Sequence, residues 1–117
     1  SMRTKLMSLC RRLEEIDAML AAPEIAGDMN RFRDLSRERA EIEPVTIMMK
    51  AYEKVEEDIE AAEEMKSDPS MADFAIEEIK EGKSKLEQLE KDLEDEYEQE
   101  KEAGKKQFKT PEEKMNY

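Results

Sequence analysis

The sequence predicts an all-α fold, an elongated antiparallel three-helix bundle of coiled-coil character, on three observations. Leu6, Leu9, Leu13, Ile16 and Leu20 alternate intervals of three and four, and Ala75, Ile79, Gly82, Leu86, Leu89 and Leu93 repeat that rhythm. Positions spaced this way fall on one stripe of a helix and form a narrow seam for a partner helix. Charged residues make up 44% of the 117-residue chain and aromatics 5%, with no Trp, a mixture suited to long solvated helices. Three Gly and four Pro leave few sites for tight turns, so the elements are few and long. Disorder is the competing expectation for so charged a chain. Sustained periodicity opposes it over residues 4–97 and not in the tail.

The first helix is expected over residues 4–22, ending before Pro23, with residues 23–27 as a short turn. Asp28 is a good N-cap for a second helix over residues 29–66, closed by Ser67-Asp68-Pro69. The third starts near Ser70, an N-cap candidate with Asp73 at N3, and runs to residue 103, where Gly104 is placed to give a left-handed cap. Short connections make neighbouring helices antiparallel.

The second helix carries an apparent phase change. At about 100° per residue, Met48, Ala51, Tyr52, Val55, Ile59 and Ala62 share one face, opposite Glu53, Glu56, Glu57, Glu60 and Glu64. Phe32, Leu35 and Ile42, carried through an unbroken helix, land on the acidic side. Pro44 lies between the two sets; it cannot donate to the helix ladder and restricts Glu43. The expectation is a kink or break at Glu43-Pro44 that buries Phe32 and Leu35 along with Val55 and Ile59. At 1.5 Å per residue the first helix spans roughly 28 Å, enough to pair with the half before the proline only. One portion is therefore expected to be three helices thick and the other a two-helix hairpin. Gly82 falls on the hairpin seam, where a missing side chain permits close approach.

Function classes narrow by what is missing. The chain has no His, which removes the commonest general base, the Glu-x-x-His di-iron pattern and most zinc sites. Gly27, Gly82 and Gly104 are isolated, so no phosphate-binding loop exists, and the carboxylates lack EF-hand spacing. No catalytic, cofactor-binding or metal residue is assigned. The nine Met are read mainly as seam filling, although they could serve an adaptable surface. Cys10 is the single cysteine, which excludes an intrachain disulfide and suggests a reducing compartment; beside Leu9 it reads as a buried or half-buried thiol. No apolar run approaches the ~18 residues of a membrane span. Ser1 before Met2 has the look of a cloning remnant.

Net charge is −12, unevenly spread. Residues 1–22 carry four basic against three acidic groups, residues 28–66 seven against twelve, residues 70–97 four against ten. Broad nucleic-acid binding needs clustered cations, and no such face is evident. Arg31, Arg33, Arg37 and Arg39 come nearest. They scatter around the helix among Asp34, Glu38 and Glu41, so a solvated, self-neutralising face is favoured over an RNA contact, and any contact with a ribonucleoprotein would be local or run through protein.

A family resemblance rests on particular blocks. Ala22-Pro23-Glu24-Ile25 is followed by Asp28, Arg31-Phe32-Arg33-Asp34-Leu35-Ser36-Arg37-Glu38 and Ile42-Glu43-Pro44-Val45. Further on come Glu57-Asp58-Ile59-Glu60-Ala61-Ala62-Glu63-Glu64-Met65 and Ala75-Ile76-Glu77-Glu78-Ile79, continuing to Leu86-Glu87-Gln88-Leu89-Glu90. In this order they resemble the N-terminal helical domain of peptide chain release factor 1, the class-I, UAA/UAG-type factor of bacteria and organelles, over residues 4–95. Each block alone is weak, because Glu/Leu-rich helices imitate one another. The 32–38 block with Glu43-Pro44-Val45 at this spacing is the specific part.

The resemblance implies a role in translation termination, where such factors recognise UAA and UAG on the small ribosomal subunit and trigger peptidyl-tRNA hydrolysis on the large one. Their hydrolytic Gly-Gly-Gln loop does not occur in these residues. Pro44-Val45-Thr46 imitates their Pro-x-Thr decoding tripeptide, but that motif belongs to a loop of a later, sheet-containing domain. No catalytic or decoding residue carries over, and the chain is not expected to be an enzyme. The helical domain of the family projects toward the stalk base of the large subunit, near the GTPase-associated region where translational GTPases, including the class-II release factor, act. Implied partners are thus the ribosome and that GTPase, without broad nucleic-acid or membrane binding, in the cytoplasm or an organellar matrix, as a monomer or with weak self-association. The resemblance stops near Asp95. Residues 1–103 are read as the domain and 104–117 as a tail, in which Thr110-Pro111-Glu112-Glu113 could start a short helix. The alternative is a free-standing acidic helical adaptor or self-associating coiled-coil module.

Overall fold

The computed structural model describes the backbone of residues 1–107 and the side chains of residues 1–102. Four α-helices follow one another: α1 (Met2–Leu20), α2 (Pro23–Ala26), α3 (Met29–Met65) and α4 (Ala72–Gln107). No strand occurs among the described residues, and the all-α helical bundle expected from the heptad-like stripes is the fold.

Capping chemistry sets most boundaries. The Ser1 hydroxyl accepts the Thr4 N–H at 3.3 Å, so α1 begins at Met2, two residues before the expected start. Ala22 is extended (φ −77°, ψ 133°), as a residue before proline should be, and Pro23 opens the one-turn α2 where a simple turn was expected. Ile25, buried, gives that turn its hold. Asp28 caps α3: its Oδ1 accepts the Arg31 N–H at 3.2 Å and its carbonyl accepts the Phe32 N–H at 2.9 Å. Ser70 does not cap α4. Its N–H and hydroxyl both donate to Asp68 Oδ1, at 2.9 and 2.7 Å, which organises the turn and delays α4 to Ala72. Gly104 does not end α4 either, since the helix continues through it to Gln107. The Thr110-Pro111-Glu112-Glu113 start lies outside the described residues.

The chain divides into two compact units, Ser1–Thr46 with the chain from Asp95 onward, and Ile47–Glu94. The first contains parts of three long helices. Leu13, Ile16 and Ile42 form its core, packed by Leu9, Met19, Leu20 and Leu35, with Leu6, Ile25 and Val45 also buried. The second contains parts of two helices, joined through residues 66–71, and buries Met49, Ala62, Ala75, Ile79 and Leu93. A Cβ on Gly82 would sit 2.6 Å from Ile59 Cγ1 and 3.0 Å from its Cδ1, and Tyr52 Oη donates to Glu90 Oε1 at 2.9 Å. Moving back along α3 from Ile59 to Tyr52 moves forward along α4, so this pair is antiparallel and closely approached at the glycine.

The break at Glu43-Pro44 does not occur. Neither residue leaves α3, which is continuous with Pro44 inside it. Phe32, expected to be buried, is 42% exposed, while Leu35, Val55 and Ile59 are half-buried. The reason is the helical repeat. Ile42, Met49 and Glu56 recur every seven residues, as do Val45, Tyr52 and Ile59, and all of them are buried or half-buried. Ile42 and Val45 keep heptad register with Met49, Tyr52 and Ile59, which the face drawn through Met48 and the exposed Ala51 missed; counting at 3.6 adds ~20° of drift per heptad to that difference. Phe32 lies beyond that seam.

Candidate functional site

The positions that imitate catalytic or decoding motifs are structural. Pro44 is inside α3, and Val45 and Thr46 are each 1% exposed, with the Thr46 hydroxyl donating to the Glu43 carbonyl at 2.7 Å. A tripeptide that reads a codon must be reachable, and this one is enclosed in helix. Cys10 is half-buried. Among the described residues no group of three or more His, Cys, Asp or Glu could hold a metal ion, and no helix is long and apolar enough to cross a membrane.

The densest polar chemistry joins α1 to the first part of α3. Arg12 grips Glu38 with two parallel bonds, Nε to Oε2 at 2.6 Å and Nη2 to Oε1 at 2.8 Å, and reaches Glu15 at 3.4 Å. Paired N–H donors match both carboxylate oxygens, the strongest form of such a contact. The Glu38 bonds hold the Arg12 guanidinium well above its usual pKa, against the opposing effect of burial. Arg39 donates to Asp17 at 2.6 Å and to Glu43 at 2.5 Å, and its pKa is raised chiefly by the Asp17 bond. Glu100, on α4, has its pKa raised by burial first and then by Glu41 and Glu38. These groups orient helices, and none is placed as a nucleophile or general base.

The expected self-neutralising arginine face is therefore only partly present. Arg39 is matched by acids, but Glu38 is turned away to Arg12. Arg31, Arg33 and Arg37 are exposed, and none is joined to a carboxylate among the described residues. Beside them Met29 is 76% and Phe32 42% exposed. A usable signal was in the sequence: Glu38 falls between Leu35 and Ile42 on the buried stripe, so it faces a partner helix rather than its arginine neighbours. In the second unit Ile47, Phe74 and Ile76 are exposed.

The family question is decided by extent. The PCRF domain, the domain of peptide chain release factors, matches residues 9–108. The chain belongs to this family. The PCRF match takes in all of α2, α3 and α4 and most of α1, and it places the chain among translation termination factors. The blocks from Ala22 to Val45 that carry the sequence resemblance lie inside it. No solved structure matches the chain.

Proposed function

We propose that this PCRF domain is the accessory docking domain of a release factor, resting on the stalk base of the large ribosomal subunit beside the site of translational GTPases, the class-II release factor included. By itself it neither reads a stop codon nor hydrolyses peptidyl-tRNA. The observation that carries this reading is the family match across an all-α chain whose 117 residues contain no Gly-Gly-Gln. Burial of Val45 and Thr46 inside α3 supports it, because the decoding-like tripeptide they belong to cannot present both residues to a codon. The setting is the cytoplasm or an organellar matrix, wherever the ribosomes are.

The test is binding of the fluorescently labelled chain to purified large subunits, intact or stripped of their stalk-base protein and RNA. Binding to intact subunits that is lost on stripped ones is expected. Equal binding to both would overturn the stalk-base assignment. No binding to either would favour a free-standing acidic adaptor.

A further inference from the structure

The second unit holds only a helix pair, residues 47–65 of α3 and 72–94 of α4, where the first holds parts of three long helices. The difference shows along one edge of α3. In the first unit that edge meets α1: Arg39 donates to Asp17, and Ile42 packs with Leu13 and Ile16. Seven-residue steps from Ile42 reach Met49, Glu56 and Glu63, and from Arg39 they reach Thr46, Glu53 and Glu60. Positions seven apart share a face of a helix. The edge that is apolar and cationic against α1 therefore turns to carboxylates in the second unit, where none of the described residues forms a third helix.

Apolar groups stand beside those carboxylates. Val55, Ile59, Met65, Leu86 and Leu89 are only half-buried, as seam residues with one partner helix must be. Tyr52, next to Glu53, donates to Glu90 of α4, so the α4 stripe through Glu90 borders α3 on this side. Two heptads earlier on that stripe stands Ile76, 56% exposed, with Lys83 between them. The pair thus carries a shallow groove with the half-open seam as its floor. Ile76 is on one edge, and Glu53, Glu56, Glu60 and Glu63 are on the other.

Charge selects the partner of this groove. Glu63 is paired with Lys66 at 3.0 Å, but Glu53 and Glu60 are joined to no cation among the described residues. Phosphates of a nucleic acid or an anionic membrane would be repelled, and a second copy would bring a further net charge of −12. A helix with an apolar stripe flanked by Lys or Arg satisfies both features, its stripe on the seam and Ile76 and its cations on Glu53 and Glu60. Such docking is the helix-in-groove mode. Residues 53–65 rise roughly 18 Å, room for about twelve residues of a partner helix.

We infer that the second unit docks a basic amphipathic helix of another protein between the α3 carboxylates and Ile76, giving this helix pair the third helix that α1 provides in the first unit. The inference goes beyond the docking reading above and does not depend on it.

The probe is a fluorescein-labelled peptide of Leu and Lys with its Leu at helical-stripe spacing, titrated with the full chain at several salt concentrations. A peptide of the same composition with scattered Leu is the control. The intact chain is expected to bind the striped peptide roughly tenfold more tightly than the scattered one. Glu53→Gln with Glu60→Gln should weaken binding roughly fivefold and reduce its salt dependence. Ile76→Ser should weaken it roughly tenfold with the salt dependence unchanged. Glu87→Gln with Glu94→Gln, the same charge change at exposed α4 positions off the Ile76 stripe, should alter affinity by less than about twofold. Circular dichroism verifies that each variant remains helical. Equal binding of the two peptides, a Glu53/Glu60 variant equal to the intact chain, or the same loss in the Glu87/Glu94 variant would overturn the inference. A dimer in sedimentation that Ile76→Ser dissociates would give the groove to a second copy instead. No ribosome enters this titration, so its failure leaves stalk-base docking standing. Peptide binding without large-subunit binding would strike the docking reading alone.

Discussion

Arg12 and Glu38 form the contact whose loss should be felt most. The Glu38 side chain is 15% exposed and shares its surroundings with Glu41 and Glu100. Arg12→Ala strands that carboxylate near two others, and the expected cost is about 1–2 kcal/mol, kept modest by Arg12's own partial exposure. Chemical denaturation measures it, and Glu38→Gln in the same background should recover part of the loss. Arg39→Ala should cost less, because its partners are better solvated. Gly82 acts by absence. Gly82→Ala gains ~1 kcal/mol of helix propensity, but its Cβ would meet Ile59 Cγ1 at 2.6 Å, and Ile in a helix has one strongly preferred rotamer. Overpacking of this kind costs about 1–3 kcal/mol, so a net loss of about 1 kcal/mol is expected, as a lower urea midpoint at unchanged slope. In an Ile59→Ala background the same substitution should cost nothing.

At the scale of elements, α3 carries a proline that its fold does not use for a break. Pro44 is exposed, and its ring removes one rung of the ladder. Pro44→Ala restores that rung without disturbing the core, so the chain should gain about 1–3 kcal/mol; a thermal melt no higher than the parent's would show that Pro44 is needed for the packing around it. Within the first unit, the packing of the α4 segment is sensitive to pH through Glu100. Its folded pKa lies above the ordinary 4.5, from burial and the nearby Glu41 and Glu38. A raised acid pKa means stability that is present in acid and lost as pH climbs past the unfolded value through the folded one. Glu100→Gln should therefore melt higher than the parent at pH 7, with the gap closing as pH falls below about 4.5.

These elements also show how much was legible beforehand. The three long helices, the α1 and α4 stripes, the Asp28 cap and the role of Gly82 follow from spacing and side-chain chemistry alone, while the one-turn α2 was read as a turn. Three features did not. The continuity of α3 through Pro44 was missed because its buried positions, Ile42, Val45, Met49 and Ile59, keep a heptad spacing that the face drawn through Met48 and Ala51 did not follow. Ser70 lost its cap because Asp68, two residues earlier, competes better for its hydroxyl and N–H. The free arginines were hidden because sequence proximity paired Glu38 with Arg37 or Arg39, whereas burial gives it to Arg12.

The molecule as a whole consists of two units of different composition. The first buries Leu6, Leu13, Ile16, Ile25, Ile42 and Val45, while two of the five buried hydrophobics of the second are alanines. Large aliphatic side chains contribute about 1.5–3 kcal/mol each when buried, so the first unit has the stronger core, and it also carries the Arg12–Glu38 clasp and the free arginine face. The central claim is that this PCRF chain docks where a release factor docks and performs none of its chemistry. An isolated domain lacks the gain from linkage to other bound domains, which can reach ~10²-fold or more, so it should act only in excess. The most direct measurement is peptide release from ribosomes halted at a stop codon, with intact release factor limiting and this chain added in increasing amounts. Dose-dependent slowing of release, with none produced by the chain alone, is the predicted result. Release without the intact factor, or no slowing at high micromolar chain, would contradict it.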